Sequence, residues 1–322
     1  MQLQTSPTAV PDASQLCPIC GAKKSTPWLK APDRFHGRKE MFSLVRCPGC
    51  SVVWLEHPPE PAQMAYHYGL EYHHLISNSG EAALDAKWRI PKERVLKMAR
   101  GGAVLDLGCS SGGFLQSLKN TGLKLFGIEI SEHEAERART NSGAQVFVGE
   151  ILDADFPPES FDVVTCFHVL EHVYNPREVL AKVRNWLKPG GILYLLIPNI
   201  ETIEISLFHS YWYGLELPRH LYHHSPASLR RLFELSNYQQ VFLRQQADCY
   251  VEKSSRYIAD EFYSRMGISR IPLSSDQRRA SIPWRIVRKA MRLGVLLPFR
   301  HLAAVSGRGA GIEAAFRKAD IP

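Results

Sequence analysis

Ala103-Val104-Leu105-Asp106-Leu107-Gly108-Cys109-Ser110-Ser111-Gly112-Gly113-Phe114 decides how this chain is read. Residues 103–107 make a short strand, apolar except for Asp106. The strand breaks into glycines and small residues and then enters an apolar helix start at Phe114, Leu115 and Leu118. A strand, a tight glycine turn and a helix N-terminus form the kind of edge where open α/β sheets bind nucleotide-type ligands, because glycine lets the backbone come close. The spacing is not G-x-G-x-x-G and no G-K-[ST] follows, which argues against a dinucleotide pyrophosphate or a P-loop phosphate. Asp106, ahead of the first glycine, would repel an anion and favour an ammonium or sulfonium group.

Strands and helices continue to alternate downstream. Leu123–Ile128 reads as a second strand ending in Glu129, and an acid there can accept both hydroxyls of a ribose. Ser131-Glu132-His133-Glu134 reads as a capping box opening a helix that stops at Gly143. Ala144–Val148 is a third strand, followed by Gly149-Glu150. Phe161–Phe167 is a fourth, running into His168-Val169-Leu170-Glu171-His172-Val173. There His168, Glu171 and His172 stand at i, i+3 and i+4, so one helical face would carry all three. Asn175-Pro176 caps the next helix, with Val179, Leu180, Val183, Trp186 and Leu187 as its buried stripe. Leu187-Lys188-Pro189-Gly190-Gly191 ends it, and Ile192–Ile197 is a fully apolar fifth strand. Ser225-Pro226 caps a helix ahead of a sixth strand, Gln240–Arg244. Gly311–Lys318 reads as a seventh, antiparallel edge strand. The alternation predicts a doubly wound α/β sheet.

The N-terminal part reads differently. Residues 1–16 are polar and predict a disordered lead. Cys17-Pro18-Ile19-Cys20 and Cys47-Pro48-Gly49-Cys50 are two C-x-x-C knuckles, the natural chemistry of a closed, structural four-cysteine zinc site. Thr26–Leu29 and Met41–Arg46 between them can form a hairpin, so residues 1–57 are read as the lead plus a zinc ribbon. A Pro-rich joint, His57-Pro58-Pro59-Glu60-Pro61, separates the ribbon from the remaining body, 58–322. Residues 58–100 read as a helical lid. Its aromatic run, Ala65–His74, suits either core packing or a cover over a cationic ligand. Its second helix, 81–99, should bend or split at Pro91. Arg89 on that helix is a candidate for a ligand carboxylate, or an ordinary surface arginine. Residues 101–247 are the core.

Composition sets the outer bounds. Apolar content of 45% and charged content of 22% suit a globular chain of 322 residues. The net charge of +7 permits an anionic partner without requiring one. No signal pattern and no spanning apolar run are seen, and seven cysteines with four in knuckles suggest a reduced, cytoplasmic protein. Residues 248–309 form a basic helical insert in which Arg285, Arg288, Lys289 and Arg292 alternate with apolar residues. That pattern suits a packed hairpin, a peripheral membrane contact or an RNA contact.

Taken together, these pieces resemble the class I S-adenosylmethionine-dependent methyltransferases. Residues 106–112 are similar to their D-x-G-x-G-x-G turn, with Ser110 in place of the middle glycine. The "FDVV…LEHV" segment and the "LKPGG" turn resemble the ubiquinone-biosynthesis O-methyltransferases and the sugar C-methyltransferases. The resemblance implies a Rossmann-like sheet and S-adenosylmethionine as cofactor. It implies cofactor contacts from Asp106, Gly108, Gly112, Glu129, Glu150, the Ile151 N–H and Phe167. In some of these relatives the positions matching His168, Glu171 and His172 hold a divalent metal. Here the first is His where they have a carboxylate, so acid/base, metal and structural readings stay open. Pro218-Arg219-His220 in the aromatic insert 200–221 would lie across the cofactor mouth, and His220 is the leading candidate base. The expected function is methylation of a small molecule: a sugar, or a lipid-linked or quinone-like intermediate. RNA methylation and a non-catalytic binding role are the rivals.

Overall fold

The structure is a computed structural model that describes residues 16–76, 81–246, 250–267 and 297–319. The lead, but for Leu16, and the basic run containing Arg285, Arg288, Lys289 and Arg292 lie outside these residues. So do the side chains of Tyr72, His73 and His74. In chain order the elements are β1 (Thr26–Pro32), β2 (Met41–Arg46), β3 (Val53–Leu55), α1 (Pro61–Ile76), α2 (Glu81–Ala99), β4 (Ala103–Leu107), α3 (Gly113–Ser117), β5 (Lys124–Glu129), α4 (Glu132–Ser142) and β6 (Gln145–Val148). There follow β7 (Phe161–Phe167), α5 (Pro176–Trp186), β8 (Leu187–Pro198), α6 (Ile203–Phe208), β9 (Tyr222–His223), α7 (Pro226–Leu235), β10 (Tyr238–Gln246), α8 (Val251–Arg265), α9 (Leu297–Val305) and β11 (Gly311–Lys318).

The larger sheet has seven strands in the order β10-β11-β8-β7-β4-β5-β6. β8, β7, β4, β5 and β6 run parallel, whereas β11 pairs antiparallel with both β8 and β10. Gly311–Lys318 is therefore antiparallel as expected but is not an edge strand. Its residues from Gly311 to Phe316 are all buried, which suits a strand covered by neighbours on both sides. Successive side chains in a strand point to opposite faces. Leu105, Val164, Leu193 and Leu195 join one buried cluster, with Val179, Val183 and Leu229 from α5 and α7. Val104, Val163, Ile192 and Tyr194 join the other, with Val95, Phe114 and Leu118. Strands apolar on both faces thus require helices on both faces.

Several local expectations change. α2 runs continuously through Pro91, and Leu96, placed on its apolar side by spacing, is 37% exposed. The capping box at α4 is half formed: Ser131 Oγ accepts from Glu134 N, but Ser131 N donates to Glu129 Oε1 instead of to Glu134. Asn175 precedes α5 without a side-chain cap. Leu187 is the first residue of β8 rather than the last of the α5 stripe. No described helix is long and apolar enough to cross a membrane.

The smaller sheet has the order β1-β2-β3-β9. The hairpin between the knuckles forms as expected. Its fourth strand comes from far along the chain: Val53 and Trp54 pair with His223 and Tyr222, and Leu55 N donates to Leu221 O.

Candidate functional site

β4 has β5 on one side and β7 on the other, so the strand order reverses at its carboxyl end, where open sheets hold ligands. The turn after β4 uses left-handed backbone at Gly108 (φ 63°), Ser110 (φ 47°) and Gly112 (φ 78°). Ser110 thus adopts the backbone that its substitution for glycine called for. A Cβ on Gly112 would stand 2.8 Å from Ala138 Cα, and on Gly108 2.6 Å from Val169 Cγ2, so both positions need glycine for space as well as for φ.

Two buried carboxylates flank this turn. Glu129, ending β5, accepts from Ser110 N at 2.8 Å and Ser131 N at 3.0 Å. Each oxygen keeps further lone-pair capacity for a ligand hydroxyl. Asp106 accepts from Thr165 Oγ1 at 2.7 Å. Burial pushes its carboxyl up to about 7, against the Thr165 hydrogen bond and with help from the charge of Glu129. A carboxylate so desolvated gains most from a nearby cation. Phe167, ending β7, stacks on Trp88 (centroids 5.5 Å) and meets Phe114 edge-on at 4.8 Å. Glu150 is exposed beyond β6 and Ile151 is buried beside it. Arg89 is exposed and pairs with Glu93, one turn along α2. No described contact ties it to this edge.

The residues after β7 form a turn, not the helix that their spacing suggests, because His168 takes φ 57° and leaves the helical region. Glu171, His172 and His220 nevertheless converge, each offering a ligand atom within 4.8 Å of the others. His168 is more exposed, with Nδ1 3.5 Å from Glu171 Oε1. Burial would raise the Glu171 carboxyl, but His168 first, then the charges of His172 and His220, hold it low. Neither Glu171 oxygen has a hydrogen-bond partner meeting normal geometry among the described residues.

The imidazole protons follow from their partners. His172 Nδ1 lies 3.0 Å from the Arg219 carbonyl and 3.1 Å from Tyr68 Oη. His220 Nδ1 lies 2.9 Å from the Gly214 carbonyl. A carbonyl oxygen only accepts, so in the neutral rings both protons sit on Nδ1 and both Nε2 atoms are bare. Burial, and then the neighbouring His220, pull His172 down to about 4, so it is neutral at physiological pH. The two Nε2 atoms stand near carboxylates, with His220 Nε2 3.8 Å from Glu216 Oε2 as well as close to Glu171, so the cluster can take up a proton or ligate a cation. His223 and His224 are buried too; His223 is lowered well below its ordinary value by burial and then by His220. Sequence reasoning missed Tyr68 as a partner of His172 and Thr165 as the partner of Asp106. Tyr68 lay in the aromatic run that suggested a lid, but nothing local pairs it with His172.

The four cysteine sulfurs form a second cluster within 4.8 Å. Cys17 Sγ is 3.6 Å from Cys50 Sγ, and Cys20 Sγ is 3.5 Å from Cys47 Sγ. Sulfurs bound tetrahedrally to zinc at about 2.3 Å stand about 3.8 Å apart, so the donor set fits. Gly49 N and Cys50 N both point at Cys47 Sγ (3.3 and 3.4 Å), which suits a thiolate.

Residues 82–242, half of the chain, match the methyltransferase domain family. The chain belongs to that family. It is 37% identical over 106 residues to the ubiquinone biosynthesis O-methyltransferase of Idiomarina loihiensis, covering 31% of this chain and 43% of that protein. It is 31% identical over 144 residues to the enzyme of the same name from Thiobacillus denitrificans, covering 41% and 62%. The matched part thus spans less than two thirds of either relative. Among solved structures, a phosphoethanolamine N-methyltransferase 2 from Haemonchus contortus, in complex with S-adenosyl-L-methionine, is 14% identical over 83% of this chain and 62% of that chain, with a TM-score of 0.48. An S-adenosylmethionine-dependent methyltransferase from Archaeoglobus fulgidus is 17% identical over 73% and 97%, with a TM-score of 0.47.

Proposed function

We propose that the protein moves the methyl group of S-adenosylmethionine to a hydroxyl of a small, quinone-like acceptor. The observation that carries this reading is the pair of buried carboxylates, Asp106 and Glu129, on either side of a glycine turn at the strand switch point. When bound, the cofactor supplies a methyl group on a cationic sulfur. Glu129 would take the ribose hydroxyls, Asp106 would favour the cationic end, Glu150 and the Ile151 N–H would serve the adenine, and Phe167 would lie beside the cofactor. Bringing acceptor and methyl into line and excluding water then does most of the work. A hydroxyl acceptor must lose its proton. His220 or His172 would take it, and Glu171 would stabilise the imidazolium that results. The relatives' names favour a quinone-like acceptor over a sugar. Zinc at Cys17, Cys20, Cys47 and Cys50 would hold the two knuckles together and would take no part in transfer.

A second reading of the histidine cluster rests on the unsatisfied Glu171 oxygens: Glu171, His172 and His220 would also suit a divalent cation. Turnover that survives exhaustive chelation, with zinc retained in the ribbon, rules that out.

The test is incubation of a cell extract with methyl-labelled cofactor. Label is expected in the lipid-soluble and small-solute fractions; label in RNA, or in no fraction, overturns the acceptor class. His220→Ala should keep its affinity for S-adenosylhomocysteine and slow transfer by about 10²–10⁴-fold, the usual worth of a general base. Unchanged turnover removes His220 from the mechanism.

A further inference from the structure

We propose that the ribbon braces the loop bearing His220, and that Asp33, in the loop between β1 and β2, is a positioning residue that fixes the His172 imidazole through two routes. The proposal rests on the reading of His172 and His220 as the groups that handle the acceptor proton.

Asp33 is fully buried although it belongs to the ribbon hairpin. Its Oδ2 stands 3.5 Å from Arg38 Nη1, which donates to His67 Nδ1 at 2.9 Å, so Arg38 bridges the carboxylate to His67. Its Oδ1 stands 3.5 Å from Arg219 Nη1 and accepts from His36 N at 3.2 Å. Arg219 is itself fully buried; its Nη1 also donates to the His67 carbonyl at 2.8 Å, and its Nε to Glu216 Oε1 at 3.3 Å. Of the two groups on His172 Nδ1, one comes from the residue after His67 and the other from Arg219. Tyr68 Oη follows His67, and the remaining contact is the Arg219 carbonyl itself. One carboxylate therefore ties together the lid helix α1 and the loop bearing His220. The two routes meet again at a single ring nitrogen.

The other side of the loop is held by the ribbon as well. Leu55 N donates to Leu221 O, and β3 pairs with Tyr222 and His223. Leu221 N and Tyr222 N in turn donate to the Glu171 carbonyl at 2.8 and 3.2 Å. His220 thus sits between two residues anchored to the ribbon. Buried charge networks of this kind specify one geometry, because a half-satisfied arrangement costs more than either extreme. The fixed quantity here is the Nδ1–H tautomer of His172, which leaves Nε2 without a proton.

The test uses the full zinc-loaded chain with ¹⁵N-labelled histidine and reads tautomers from the ring nitrogen shifts, with signals assigned by His172→Gln and His220→Gln. In the parent protein His172 should show a single Nδ1–H form. Asp33→Ala should populate both tautomers of His172, and Asp33→Asn, which keeps the shape and loses the charge, should do so in part. His67→Gln cuts one route and leaves Asp33 facing Arg219, so it serves if the Asp33 variants do not fold. Zinc content and affinity for S-adenosylhomocysteine should stay within twofold. Transfer to the labelled acceptor fraction should slow about tenfold, with the cofactor KM unchanged. A single, unmoved His172 tautomer in folded Asp33→Asn or His67→Gln protein overturns the proposal. The ring signals do not depend on turnover, so failure of His220 as a base would show separately, as unchanged transfer by His220→Ala.

Discussion

Cofactor binding should weaken as pH falls through neutrality, and Asp106 sets where. Its carboxyl is pushed up to about 7, first by burial, with the Thr165 hydrogen bond opposing and Glu129 adding to the rise. A cationic ligand end favours the ionised form, so the bound protein holds Asp106 deprotonated. Below about pH 7 the free protein must release a proton to bind, and the apparent affinity falls tenfold for each further pH unit. Between pH 8 and about pH 5.5 the loss is about 30-fold, or ~2 kcal/mol. The assay is calorimetric titration with S-adenosylmethionine in two buffers of different ionisation heat, which also counts the proton released. Asp106→Asn should bind weakly and lose the dependence. The same titration with S-adenosylhomocysteine, which keeps the ammonium but lacks the sulfonium, shows which cation Asp106 senses. An affinity that is flat across this range, or an unchanged slope in Asp106→Asn, would refute the assignment.

Three further outcomes test the same frame. Glu129→Gln should leave one of two backbone N–H groups, Ser110 or Ser131, facing an amide that cannot accept, costing about 1–3 kcal/mol of stability; thermal denaturation reads this, and calorimetry should show at least a hundredfold weaker cofactor binding. Gly112→Ala places a Cβ 2.8 Å from the Ala138 backbone at φ 78°, so a melting temperature lowered by several degrees and loss of cofactor affinity are expected, and parent-like values would show that the turn is not packed as described. Cys47→Ser should lower bound zinc below one per chain by metal analysis and speed proteolysis within residues 16–57; an unchanged digestion pattern would show that the cysteines hold no structural ion.

What sequence alone could reveal depended on range. The glycine turn, Glu129 and strands such as Phe161–Phe167 are written in short windows, where backbone sterics and side-chain alternation dominate. The capping box failed at short range because Glu129 competed for the Ser131 N–H, and a carboxylate already held there prevails over Glu134. The helix at 168–172 failed because His168 takes φ 57° and turns the chain as it leaves β7. The place of β11 within the sheet had a signal that was passed over. Gly311 to Phe316 is apolar on both faces except for Glu313, as in an inner strand, and Glu313 is paired with Arg94, Arg244, Tyr194 and Gln246. The meeting of Asp33, His67 and Arg219 had no local signal, because the three come from separate segments.

β11 has a consequence for biogenesis. β8 and β10 are both complete by residue 246, yet they do not pair with each other; the strand that joins them is 311–318. As the nascent chain leaves the ribosome, β8 must wait with one margin unpaired while more than sixty further residues are made. Distant pairings of this kind slow assembly and expose sticky edges meanwhile. A chain halted anywhere between 246 and 311 would carry every residue proposed above to hold the cofactor and still tend to self-associate, through the vacant margin of β8.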